Sequence, residues 1–126
     1  MKNRSFNVLV VDDEAAVGTS INIMLKKSGY AVDVVRDGGD ALDRLRTSPG
    51  HYDILITDHL MCRVSGLEFL LQLPMNTFNG KVIVLSAFLT VELEAQYRSL
   101  GADRILRKPF DVDELRTTIE ECVEEI

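Results

Sequence analysis

The stretch Phe6-Asn7-Val8-Leu9-Val10-Val11-Asp12-Asp13 decides how the chain is read: a short run rich in branched apolar residues stops abruptly on two carboxylates. Runs of this length and composition read as buried strands. The pattern returns at Ala31–Val35, Ile54–Thr57, Lys81–Leu85 and, more weakly, Arg104–Leu106. Between the runs the apolar period lengthens to that of a helix. Val17, Ile21, Met24 and Leu25 make one stripe ended by Gly29, and Ala41, Leu42 and Leu45 a second that Pro49-Gly50 terminates. Leu67, Leu70 and Leu71 form a third that Pro74 stops, and Val91, Leu93 and Tyr97 a fourth ending near Gly101. The fifth opens on a capping-box pattern, Asp111 with Glu114, and continues as Leu115, Ile119, Cys122, Val123 and Ile126. Five strands each followed by a helix imply right-handed crossovers, and so predict an α/β, doubly wound (βα)5 fold: a five-stranded parallel sheet with helices on both faces. No repeat, low-complexity tract or linker interrupts the alternation, so residues 1–126 are expected to form one domain.

The composition agrees with that reading and excludes several roles. A chain of 126 residues, 46% hydrophobic and 27% charged, buries a core without needing disulfides or a structural metal. Fourteen basic against twenty acidic residues leave a net charge of −6, which argues against direct nucleic-acid contact. No uncharged apolar run reaches the roughly 18 residues of a membrane span, and Phe6–Val11 is too short and mixed for a signal-peptide core. The expectation is a cytoplasmic chain with no membrane partner. Cys62 and Cys122 have no metal-ligand spacing and are expected to be reduced, Cys122 on an apolar helix face.

In doubly wound sheets ligands bind outside the carboxyl ends of the strands. Asp12 and Asp13 follow the first run, Asp58 the third, Ser86 the fourth, and Lys108-Pro109 the fifth. Each alone has a plain explanation: Asp13 a helix N-cap, Asp58 a turn, Ser86 a strand end, Lys108 a solvated charge. Their convergence on one edge is harder to dismiss. Three carboxylates held together repel unless a proton or cation lies among them, and an all-oxygen donor set suits Mg2+ better than zinc. The metal and Lys108 would offset the three acids, leaving Asp58 as nucleophile toward a phosphoryl group.

These residues resemble the receiver domains of bacterial two-component response regulators, over essentially residues 6–124. The carriers are Val8-Leu9-Val10-Val11-Asp12-Asp13-Glu14, Ile54-Leu55-Ile56-Thr57-Asp58 with Met61 and Gly66, Val82-Ile83-Val84-Leu85-Ser86-Ala87, and Lys108-Pro109-Phe110. The resemblance implies a flavodoxin-like sheet in the order 2-1-3-4-5. It implies that Asp58 accepts a phosphoryl group from a sensor histidine kinase or a phosphotransfer protein. Asp13 would bind Mg2+ directly, Asp12 through water, and the Leu60 carbonyl would be a further ligand. Ser86 and Lys108 would grip the phosphoryl oxygens, Ala87 would keep the approach open, and Lys108-Pro109 would be joined by a cis peptide. Such a domain is a signalling switch that catalyses only its own phosphorylation and dephosphorylation. Its signal would pass to a downstream protein or output domain through helix 4, strand 5 and helix 5, and a homodimer is one way of doing so.

Two features depart from the pattern. Cys62 stands where relatives usually carry proline, and Ile105 where they commonly have Tyr or Phe, so the usual aromatic readout is missing; Phe88, Tyr97 and Phe110 are the rings left to replace it. Leu60 and Phe88, two residues beyond Asp58 and Ser86, are both apolar and are expected to slow loss of the phosphate. His59 and His51 have no partner at ligand spacing, and His59 should point away from the crevice. Arg104 and Arg107 read as solvated charges or as part of a partner surface. Two other classes use similar chemistry. A haloacid-dehalogenase-type phosphatase needs Asp-x-Asp after strand one, but Glu14 stands there; a nucleotide-binding flavodoxin-like module needs a glycine-rich cradle that Asp-Asp-Glu-Ala-Ala cannot supply. A pseudo-receiver that signals without phosphorylation is the remaining alternative, favoured by Ile105 and Cys62 and opposed by the five polar positions.

Overall fold

A computed structural model describes residues 5–61, 64–73 and 78–126. Strands and helices alternate: β1 (Asn7–Val11), α1 (Ala15–Lys27), β2 (Ala31–Val35), α2 (Gly38–Thr47), β3 (Ile54–Asp58), α3 (Gly66–Gln72), β4 (Lys81–Ser86), α4 (Val91–Ser99), β5 (Arg104–Arg107) and α5 (Val112–Glu124). The strands form one parallel sheet in the order β2-β1-β3-β4-β5. The chain therefore adopts the expected doubly wound, flavodoxin-like topology, with element ends shifted by a residue or two from the sequence reading.

Alternation along the strands divides the core into two layers. Leu9, Val11, Leu55, Val82 and Val84 face one way and pack with Ala41, Leu42, Phe69 and Tyr97 from α2, α3 and α4. Val8, Val10, Ile54, Ile56, Ile83 and Leu85 face the other way, against Ile21 and Leu25 of α1 and Leu115, Ile119 and Cys122 of α5. The central strands β1, β3 and β4 are buried almost throughout. The outer strands are not: β2 buries only Val35, and β5 is half-exposed along its length. Reading all five runs as buried strands was too strong for these two, because an edge strand has a neighbour on one side alone.

The expected helix signals are in place. α1 ends with Ser28 at the C-cap and Gly29 at φ +93°, a conformation that favours glycine. Asp111 and Glu114 form the predicted capping box of α5, and Ser65 with Glu68 makes a second one at α3 that the sequence reading did not identify. Glu14, not Asp13, is the N-cap of α1, and its side chain makes no capping bond. Pro74 and Cys62 lie outside the described residues. Among the described residues no helix is long and apolar enough to cross a membrane.

Candidate functional site

The strand order reverses between β1 and β3, and the carboxyl ends of these two strands open a crevice there. Asp12 leaves β1 fully buried, and Asp58 ends β3 at 5% exposure. A cavity of ≈ 220 Å3 at this edge is lined by Asp13, Glu14, Asp58, Leu60, Ala87 and Lys108. The Lys108 ammonium reaches over it from the end of β5. Its Nζ lies 3.1 Å from Asp58 Oδ1, 3.8 Å from Glu14 Oε1 and 3.9 Å from Asp12 Oδ2.

One cation thus serves three carboxylates. Asp12, Glu14 and Asp58 offer oxygens that all lie within 4.8 Å of one another. Asp12 Oδ1 accepts the Glu14 backbone N–H at 2.9 Å, but Asp12 Oδ2 is buried without a hydrogen-bond partner. A buried acceptor in that condition is costly unless something positive sits on it, and Lys108 at 3.9 Å is too far to donate. The donor set therefore fits a hard divalent cation. Burial raises the Asp12 carboxyl above its ordinary value, opposed by the Glu14 N–H and reinforced by the Asp58 charge. Burial likewise raises Asp58, which Lys108 and the His59 N–H pull down and Asp13 pushes up. Glu14 is the acidic partner that sequence reasoning missed. Its sign was available in hindsight, since a long carboxylate at the N-cap can reach back into the crevice.

The remaining predicted residues fall as follows. Ser86 is buried at the end of β4, and its hydroxyl is turned onto its own loop, donating to the Phe88 carbonyl at 2.5 Å and accepting the Phe88 N–H at 3.2 Å. Ala87 and Leu60 line the cavity, Leu60 and Phe88 are 65% and 66% exposed, and the Lys108–Pro109 peptide is cis. Ile105 is half-buried against the core layer that contains Tyr97. His59 points away from the crevice, as expected, and its Nδ1 is hydrogen-bonded to the Tyr97 hydroxyl. His51 packs edge-on against Tyr52. Arg104 is held by Glu121 and Glu125, whereas Arg107 reaches the Leu89 carbonyl at 3.5 Å. Cys122 is buried, and burial lifts its thiol to about 11, so it is an inert core residue.

Known proteins are similar to this chain in sequence and fold. Residues 8–120 match the family model described as the response regulator receiver domain. The transcriptional regulatory protein DltR of Streptococcus agalactiae is 34% identical over 112 residues, covering 89% of this chain and 49% of that protein. The response regulator MprA of Mycobacterium tuberculosis is 37% identical over 111 residues, 88% of this chain and 47% of that protein. The chain thus spans about half the length of the curated relatives it matches. Among solved structures, the chemotaxis protein CheY4 of Vibrio cholerae superimposes with a TM-score of 0.87 at 26% identity, over 94% of this chain and 99% of that one. A family match running through all five strands and into α5, with relatives this similar over nearly the same span, admits one assignment: the chain belongs to the response regulator receiver domain family.

Proposed function

We propose that this receiver domain is a working phosphoacceptor, in which Asp58 takes a phosphoryl group from the phosphohistidine of a sensor histidine kinase or phosphotransfer protein. The observation that carries this reading is the buried Asp12 Oδ2, which accepts no hydrogen bond, beside an Asp58 carboxylate already held by Lys108. Asp12, Asp13, Glu14, Asp58 and the Leu60 carbonyl would hold Mg2+. When bound, the cation neutralises charge on the transferring phosphoryl group.

The chain's own residues set up the rest. Lys108 and the His59 N–H both engage Asp58 Oδ1, at 3.1 and 3.0 Å, and so orient the carboxyl plane. A carboxylate oxygen attacks phosphorus, an O–P bond forms, the N–P bond to the donor imidazole breaks, and the imidazole leaves with that electron pair. Lys108 stabilises the oxygens as charge develops on them. Ser86 contributes once its hydroxyl leaves the Phe88 carbonyl, and that turn would draw on the loop between β4 and α4. The new charge on Asp58 shifts the surface of α4, β5 and α5, through which a downstream protein, an output domain or a second copy would be addressed.

Incubation with acetyl phosphate and Mg2+, followed by intact mass measurement, tests the reading. The wild type should gain one phosphoryl group and Asp58→Asn none. Failure of the wild type to gain mass, with beryllium fluoride also failing to bind, would assign the chain to the pseudo-receivers.

A further inference from the structure

Strand alternation sends Asp58 into the crevice and its neighbour His59 to the other side of the sheet, where α4 packs. There the imidazole meets the Tyr97 ring edge to face, with centroids 5.5 Å apart, and Nδ1 is hydrogen-bonded to the phenol. Tyr97 is the buried residue of α4 and is wholly inaccessible, while Val91 at the start of the helix is 81% exposed. The attachment of α4 therefore rests heavily on one ring. The same hydroxyl lies against Gly66 at the start of α3. Space around it is tight: a Cβ added to Gly66 would lie 2.5 Å from the hydroxyl and 2.8 Å from the Asp58 carbonyl oxygen.

On the acceptor side, the His59 N–H is shared between the Leu85 carbonyl at 2.9 Å and Asp58 Oδ1 at 3.0 Å. The His59 carbonyl accepts the Gly66 N–H at 2.8 Å. A continuous path thus runs from the Asp58 carboxylate through the His59 backbone and ring to the Tyr97 hydroxyl and into α4. The two groups share one hydrogen bond between the acceptor loop and α4.

We propose that Tyr97, acting through its hydrogen bond to His59, is the positioning residue that carries the state of Asp58 to α4. The inference rests on Asp58 being the phosphoacceptor. When Asp58 becomes an acyl phosphate, Oδ1 changes its charge and partners, and the His59 N–H bound to it must readjust. A buried hydroxyl does not readily give up its hydrogen-bond partner, so the phenol follows the imidazole and α4 follows the phenol. Ile105, half-buried against the same layer, has no polar group with which to compete for that bond.

Hydrogen–deuterium exchange of residues 91–99, with and without beryllium fluoride plus Mg2+, tests this, with uptake of a phosphoryl group from acetyl phosphate measured in parallel. The wild type should change its exchange in α4 on adding the fluoride complex. Tyr97→Phe keeps the ring, and with it the packing, and should still be modified but lose most of that α4 response. His59→Leu should lose it as well, whereas His59→Asn, whose side-chain amide can hydrogen-bond the phenol, should restore it. An unchanged α4 in a modified wild type, a full response in Tyr97→Phe, or equal loss in His59→Asn and His59→Leu overturns the inference and leaves the acceptor role standing. A wild type that takes up neither reagent overturns the acceptor role, and the inference with it.

Discussion

Leu60 and Phe88 are large apolar side chains, each about two-thirds exposed, at positions following the acceptor and Ser86. Scattered exposed apolar side chains are common, and what distinguishes these two is position: Leu60 lines the cavity, and Phe88 follows its lining residue Ala87. Neither side chain can hold a water molecule in line with phosphorus, because neither has a hydrogen-bonding group. The acyl phosphate is therefore expected to be long-lived. A Leu60→Asn, Phe88→Glu double variant should release phosphate several-fold faster than the wild type once the donor is removed; equal rates in a phosphate-release assay would refute the shielding role. Glu14 shows how neighbouring residues divide their work. Its backbone N–H binds Asp12 Oδ1 while its carboxylate approaches Lys108.

The same division appears in whole elements. α1 gives up a side-chain cap at its N-terminus, where its N-cap carboxylate faces the crevice, while α2, α3, α4 and α5 all keep theirs. The uncapped end of α1 leaves backbone N–H groups and the positive end of the helix dipole beside the candidate site, which suits an arriving phosphate. α5 presents the opposite problem. Its last turn has no basic residue, yet it ends in Glu124 and Glu125, so the carboxyl end of the dipole meets negative charge. Arg104 from β5 and Lys81 from β4 correct this, pairing with Glu125 at 2.5 and 3.3 Å. Those bonds hold the Glu125 carboxyl below its ordinary value of 4.5, the Arg104 contact first. A depressed carboxyl contributes its stability above the unfolded value and loses it as pH falls through the native one. The thermal midpoint should therefore drop on acidification below about 4.5, and Glu125→Gln should make that drop shallower; because the pair is exposed, the difference should be small. An identical acid profile for the two proteins would show that the pair adds nothing.

At the scale of the molecule, the candidate site exists only because the sheet is complete. Asp12 comes from the end of β1, Glu14 from the start of α1, Asp58 from β3 and Lys108 from the end of β5, and two core layers hold these elements in register. A divalent ion bound there is bound only by the folded chain, so binding and folding are linked. At a free Mg2+ concentration 100 times its dissociation constant the folded state should gain about 2.7 kcal/mol, seen as a higher thermal midpoint. Asp12→Asn removes a buried charge at constant shape and should abolish most of that rise. A full Mg2+ shift in the variant would remove Asp12 from the metal site.

How much of this was legible in advance follows from which interactions are local. The strand runs, the Gly29 stop, the Asp111 cap and the doubly wound order are consequences of side-chain periodicity and backbone preference within a few residues, and the sequence determined them. It also placed Asp12, Asp13, Asp58, Ser86, Ala87 and Lys108 at one edge, since the carboxyl ends of parallel strands all lie on the same side. Contacts between elements were another matter. That β2 and β5 are open on one flank, that Glu14 joins the acidic cluster, and that Ser86 turns back onto Phe88 depend on where other elements end up. The pairing of His59 with Tyr97 belongs to the same group: one residue follows a strand and the other lies 38 positions on, in a helix whose stripe gives no hint of a hydroxyl reaching the acceptor loop. Alternation along β3 could say that His59 faces away from the crevice, but only tertiary packing decided what it would meet there.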